Sequence, residues 1–324
     1  MSYQPLSKGA HVRVVAPSSS GLSIGENNLR ETAALFEKRT GLQVTFAKHV
    51  FTAVRLGSAS VTNRLADLHE AFKDSSVDAI ITVTGGFNAN ELLDGIDYQL
   101  IKKHPKPLIG YSDITALLNA IYQHTGVVTY HGPHLSSFGM KDYFSQTNKY
   151  FQKALFSKEP YAFTPSTFYT DDKWWEDQLT RDKKVASGWQ VINPGVATGR
   201  VLGGNLSTFA LLQGTTHFPD LQDTILFLEE DYLVDAQLFN RLVQSLAQQP
   251  GFSGVQAIVI GRFQDASQVT HTHLQEMFLT TPFKDLPVLA GVDFGHTNPN
   301  FTFPIGAQAR VQATTTPSIR IERF

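Results

Sequence analysis

Cysteine is absent from the 324 residues, which removes disulfides, thiolate metal sites and a cysteine nucleophile together. Charge of either sign is sparse and nearly balanced. Lys and Arg total 27 against 29 for Asp and Glu, a net charge of −2. With no basic stripe, nucleic acid is not an expected partner. No apolar run approaches the roughly twenty residues needed to span a bilayer, so no membrane association is expected. The opening Met1-Ser2-Tyr3-Gln4-Pro5 lacks the basic segment and apolar core of a secretory signal, and the expected location is the cytoplasm. Tryptophan is also scarce: all three, Trp174, Trp175 and Trp189, fall in one stretch.

What remains is an ordinary globular composition, 42% hydrophobic and 17% charged, long enough for two domains with separate cores. Val12 to Ala16 reads as a first strand, followed by the polar loop Pro17-Ser18-Ser19-Ser20-Gly21. Leu29, Ala33 and Phe36 mark a helix stopping near Gly41, and Val44 to Phe46 a second strand. Leu65, Leu68 and Phe72 give another helix, then Ala79 to Val83 a buried strand. This alternation predicts parallel βαβ units with helices on both faces, where ligands bind beyond the carboxyl ends of the strands. From about 140 to 195 the periodicity weakens. It returns in a second α/β unit: a helix after Leu202-Gly203-Gly204-Asn205-Leu206, a strand over 224–228, a helix through Leu238, Leu242 and Leu246, and strands at 257–260 and 287–290. Short extended segments follow near Arg310 and Ile319. The expected division is an N-terminal domain over 1–165, a tryptophan-bearing linker over 166–195 and a C-terminal domain over 196–324.

Chemistry is suggested first by Gly110-Tyr111-Ser112-Asp113. Leu108 and Ile109 end a strand, and Ile114, Leu117, Leu118 and Ile121 form an apolar helical stripe. Ser112 therefore stands at a helix N-terminus, where free N–H groups could meet the oxyanion of an attacked carbonyl. Either Ser112 or Asp113 could equally be a helix cap. Gly85-Gly86 lacks dinucleotide-binding spacing and reads as a tight turn or as an N–H aimed at an oxyanion. A serine nucleophile needs a base and a carboxylate to orient it. Glu229 and His296 both follow strands, but Glu230 and Asp231 compete for one role, and His131 and His134 for the other. The second glycine of the G-x-S-x-G elbow is missing. His271-Thr272-His273 lacks companion ligands and reads as a solvated helix start, so no metal is expected. In the polar stretch 171–177, at least one of Trp174 and Trp175 should face outward, where an indole could stack on a flat group.

Five motifs in order then resemble one family. They are 84–93 (TGGFNANELL), Gly110-Tyr111-Ser112-Asp113, Gly203-Gly204-Asn205-Leu206, Leu226-Phe227-Leu228-Glu229-Glu230 and Val292-Asp293-Phe294-Gly295-His296-Thr297. Together they resemble the serine peptidases of family S66, which include LD-carboxypeptidases and the microcin C self-immunity (MccF-like) branch. The tryptophan-bearing insertion and the Asp-Phe-Gly-His-Thr ending bring the MccF-like branch nearest. The resemblance implies a Rossmann-like N-terminal domain and a swivelling β/α/β-type C-terminal domain. It implies a triad of Ser112, Glu229 and His296, and an oxyanion hole from the backbone of Asp113 and the Gly85-Gly86 turn. It further implies a homodimer, a small-molecule substrate, no cofactor, and substrate contacts from Asn88, Trp174, Trp175 and Trp189. The substrate implied is an aminoacyl-adenylate analogue, with a murein tetrapeptide as the alternative; a two-domain protein that binds a small ligand without chemistry is the remaining reading. The stretch Lys184-Val185-Ala186-Ser187-Gly188-Trp189 lacks the family's usual Asn-Glu before Gly-Trp, a departure that bears on nucleotide specificity.

Overall fold

The computed structural model describes residues 4–323; Met1 to Tyr3, part of the stretch read for a secretory signal, lie outside the described residues. The first half of the chain alternates β1 (His11–Val15), α1 (Glu26–Thr40), β2 (Gln43–Phe46), α2 (Val61–Lys73), β3 (Ala79–Thr82), α3 (Tyr98–Lys103), β4 (Leu108–Gly110), α4 (Thr115–Thr125), β5 (Thr129–His131) and α5 (Ser145–Leu155). The expected strands and helices lie within a few residues of these bounds. The α1 helix ends at Gly41, whose left-handed conformation seals the last turn. β3 is buried along its whole length, as expected of a strand covered by helices on both faces.

The second half holds β6 (Tyr161–Phe163), β7 (Phe168–Tyr169), β8 (Lys184–Val185), β9 (Gln190–Asn193), β10 (Gly195–Asn205), α6 (Leu206–Ala210), β11 (Thr224–Glu229), α7 (Ala236–Ala247), β12 (Val255–Gly261), α8 (His271–Phe278), β13 (Val288–Val292), β14 (Phe303–Ile305), β15 (Gln308–Ala313) and β16 (Ser318–Arg323). The aperiodic stretch 140–195 thus contains α5 and four short strands. Strands of two to four residues are too brief to show a period. In α7 the buried positions are Phe239, Val243 and Leu246, while Leu238 is exposed; the inward face is turned from the Leu238-Leu242-Leu246 stripe.

The first sheet runs β14-β5-β4-β3-β1-β2. Its five N-terminal strands are parallel, and β14 closes one edge antiparallel to β5. Strand order reverses between β1 and β3, the kind of switch point at whose carboxyl ends open α/β sheets bind ligands. The second sheet runs β6-β16-β15-β10-β11-β12-β13-β9, with a parallel centre over β10 to β13. Two strands cross the expected division: β6 pairs with β16 in the second sheet, and β14 with β5 in the first. Asn119 on α4 adds a seam, exchanging hydrogen bonds with both the N–H and the carbonyl of Gly203 on β10. Among the described residues, no helix is long and apolar enough to cross a membrane.

Candidate active site

Three strand ends from two sheets converge. Ser112 follows β4 and begins a single 3-10 turn, Ser112–Ile114, before α4. Its φ of +58° is left-handed, costly for a residue with a Cβ. The strand-to-helix elbow therefore forms without its second glycine. Glu229 ends β11, and His296 follows β13. His296 Nε2 lies 3.2 Å from Ser112 Oγ, and its Nδ1 lies 2.7 Å from Glu229 Oε2. With Nδ1 carrying the proton toward the carboxylate, Nε2 is left to accept from the serine hydroxyl.

Electrostatics follow from burial and pairing. Burial opposes ionisation of Glu229, but the charge and hydrogen bond of His296 outweigh it and hold the carboxylate below its usual range. Burial likewise disfavours the imidazolium of His296, yet Glu229, with Asp231 and Glu230 behind it, raises its affinity for a proton above the ordinary value. Glu229 sits against backbone: a Cβ on Gly295, which has a φ of +105°, would come within 2.6 Å of Glu229 Oε2.

The competitors occupy other positions. Glu230 accepts from the N–H and hydroxyl of Ser207 and from Asn205 Nδ2 (3.0 Å). Burial, with Glu229 adding to it and Ser207 opposing, pushes Glu230 up to about 7. Asp231 turns its carboxylate to the N–H of Leu233. His131 is buried and stacked on Phe303 with ring centres 4.5 Å apart, and burial pushes it down to about 4. His134 holds Thr82 Oγ1 through Nδ1 at 2.8 Å and stacks on Tyr111. Burial lowers its proton affinity too.

Gly85 packs against the serine: a Cβ there would lie 2.9 Å from both Cβ and Oγ of Ser112. Neither the Gly86 nor the Asp113 N–H has an acceptor among the described residues, so both donors are free beside Ser112. The Asp113 carboxylate is buried and accepts from Ser18 Oγ (2.5 Å) and the Ala89 N–H (2.8 Å). It ties the loops after β1, β3 and β4 into one unit.

Ser18 and Arg64 escaped the sequence reading. Buried Arg64 donates to the carbonyls of Pro17 and Asn88 and pairs with Glu91. The one available signal was the placement of Ser18 in the loop after β1. Asn88, expected to contact substrate, has its side-chain amide engaged with Ser58 and Arg64. Phe87 beside it is 83% exposed.

The tryptophans divide. Trp175 is 63% exposed and meets half-buried Trp174 edge-on at 5.9 Å, as the polar surroundings of the pair predict. Trp189, also expected to contact substrate, lies buried apart from that pair. It is 7% exposed, and its indole N–H donates to buried Asp293 Oδ2 at 2.9 Å. His271 and His273 begin α8, and His273 completes a capping box with Thr270.

Comparison with known proteins adds an independent line. The family models for the LD-carboxypeptidase N-terminal and C-terminal domains of peptidase S66 match residues 12–132 and 198–311. The protein named "Putative carboxypeptidase YocD" of Bacillus subtilis is 46% identical over 95% of each chain. The microcin C7 self-immunity protein MccF of Escherichia coli is 31% identical over 91% of this chain and 88% of its own. The murein tetrapeptide carboxypeptidase of Pseudomonas aeruginosa is 27% identical over 95% and 94%. An MccF-like protein from Bacillus anthracis superposes with a TM-score of 0.97 at 44% identity, covering 99% of both chains. MccF in complex with glutamyl sulfamoyl guanosine superposes at 0.88 with 27% identity, covering 99% and 98%.

Proposed function

Since the chain belongs to the S66 LD-carboxypeptidase family of serine peptidases, we propose that Ser112, His296 and Glu229 are its catalytic triad and that it hydrolyses an amide bond in aminoacyl-adenylate analogues such as processed microcin C. The observation carrying this reading is the hydrogen-bonded run from Ser112 Oγ through His296 to Glu229, at 3.2 and 2.7 Å. Ser112 attacks the carbonyl while His296 Nε2 takes its proton. Glu229 keeps Nδ1 protonated and stabilises the imidazolium that forms. The free N–H groups of Gly86 and Asp113 receive the oxyanion; losing one such donor typically costs about 2.7–4 kcal/mol in the transition state. The imidazolium then protonates the leaving amine, and water repeats the cycle on the acyl-enzyme.

The nucleotide half of the reading rests on MccF having been solved with aminoacyl sulfamoyl nucleosides and on exposed Trp175 as a stacking face. A murein tetrapeptide is the second reading. It is favoured by the murein-acting relative and by Ala186-Ser187 standing before Gly188-Trp189. The reading includes a homodimer, a cytoplasmic location, and halves at 1–165 and 196–324 joined by 166–195.

The test is a panel of aspartyl and glutamyl sulfamoyl adenosine against a murein tetrapeptide, with Ser112→Ala as control. We expect wild-type protein to release the amino acid from the adenosine compounds and Ser112→Ala to lose at least about a thousandfold in kcat. Turnover unchanged in that variant would overturn the assignment. Release of D-alanine alone would select the murein reading.

A further inference from the structure

The segment between β6 and β9 is fastened to the His296 loop on both of its legs. On the incoming leg, the Ser166 N–H donates to Asp293 Oδ2 at 3.0 Å, and Thr170 and Asn298 exchange main-chain hydrogen bonds, each 2.8 Å. On the outgoing leg, Trp189 Nε1 donates to that same Asp293 oxygen at 2.9 Å. Arg262 Nη2 holds the other oxygen at 3.2 Å. Asn298 is pinned further by Thr147 Oγ1 and by its own donation to the Tyr143 carbonyl. His296 lies between these anchors, with Asp293 before it and Asn298 after it.

Between its legs the segment reaches the first sheet's side of the molecule. Gln178 donates to the Gly139 carbonyl and accepts from the Lys141 N–H. Trp174 packs close to Gly139. One stretch of chain therefore touches the first unit near 139–141 and holds the loop of the base in the second.

We propose that this segment is a brace for the imidazole, and that Trp189 and Asp293 are positioning residues that hold His296 against Ser112 through the loop they anchor. The proposal rests on the hydrolase reading above for its catalytic consequence. Asp293 is buried, and a buried carboxylate is tolerated only where donors surround it. Its three donors give the loop one low-energy seat. At 3.2 Å the contact of His296 with Ser112 is already long, so a small displacement of the loop breaks it.

Trp189→Phe is the sharpest probe, because it removes the indole N–H and changes no charge. The charges acting on the imidazole come from Glu229, Asp231 and Glu230, with His131 and His134 buried nearby. None of these is altered, so a change in His296 titration reports its position. Two readouts are taken: the His296 ring titration by NMR, and turnover of the preferred substrate. As Glu229 loses its grip, the titration midpoint should fall by about half a pH unit. Turnover should fall about tenfold in kcat, with KM within about threefold. Asp293→Asn should lower kcat in the same direction.

An unchanged titration and kcat in Trp189→Phe would overturn the brace. So would a rise in KM alone, which would return Trp189 to substrate contact. Loss of the native thermal transition in both variants would make the pair a folding element and equally overturn a positioning role. If wild-type protein turns over nothing in the panel, the hydrolase reading fails, while the titration still decides the brace.

Discussion

Ser112 combines a costly backbone with a tight surrounding. Its φ of +58° is held because Gly85 lies against it and Asp113, the next residue, is locked by Ser18 and Ala89. Gly85→Ala would place a methyl 2.9 Å from Ser112 Cβ and Oγ. We expect kcat to fall about a hundredfold with substrate affinity largely kept, since a shift of about 1 Å at a reacting atom costs that much. Steady-state kinetics on the preferred substrate check it. At this scale the sequence spoke unevenly. Ser112 was legible as a residue at a helix start, but a cap and a nucleophile share that signal. Glu229 could be separated from Glu230 only by resemblance, because adjacent carboxylates differ in which way they face, and that depends on strand register.

The elements present their functional groups at strand ends, and Glu229-Glu230 shows how one end can serve two purposes. Glu229 meets the imidazole, while Glu230 is tied to Ser207 at the start of α6 and to Asn205. Burial raises Glu230 from 4.5 to about 7. A group raised in the folded state contributes stability that is fully present below its unfolded value and is lost as pH climbs through its folded value. Between pH 4.5 and 8 that loss is on the order of 3 kcal/mol. Glu230→Gln should therefore flatten the decline of stability across this range, as measured by denaturant unfolding at pH 5 and pH 8. Ionised Glu230 also supports the imidazolium of His296. The acid limb of kcat/KM, which reports His296 losing its proton, should move to lower pH in the same variant. Long periodic elements such as α1, α2 and β11 were legible in the sequence. Short β6 to β9 were not, because two to four residues are too few to show a period.

At the scale of the molecule, the site exists only where two sheets meet. Strands β14 and β6 exchange between the halves, and Asn119 stitches α4 to β10 through both polar groups of Gly203. Asn119→Ala would leave the N–H and carbonyl of Gly203 buried without those partners. We expect a loss of about 2–3 kcal/mol in unfolding free energy, read by denaturant titration, with a fall in kcat as the nucleophile and base lose their common frame. A variant as stable and active as wild type would show that the exchanged strands alone hold the halves together.

The sequence by itself determined the class of fold, the absence of thiol chemistry and, through ordered motifs, the family whose resemblance suggests the triad. These are local or patterned properties: apolar period, turn residues and motif spacing survive in one dimension. Only the tertiary structure shows Glu229 against the imidazole, Glu230 turned to Ser207, and Asn88 and Trp189 hydrogen-bonded within the protein. Those outcomes depend on burial and on bonds between residues far apart in the chain. A hydrogen bond between Trp189 and Asp293, or between Ser112 and His296, leaves no trace in the spacing of either residue.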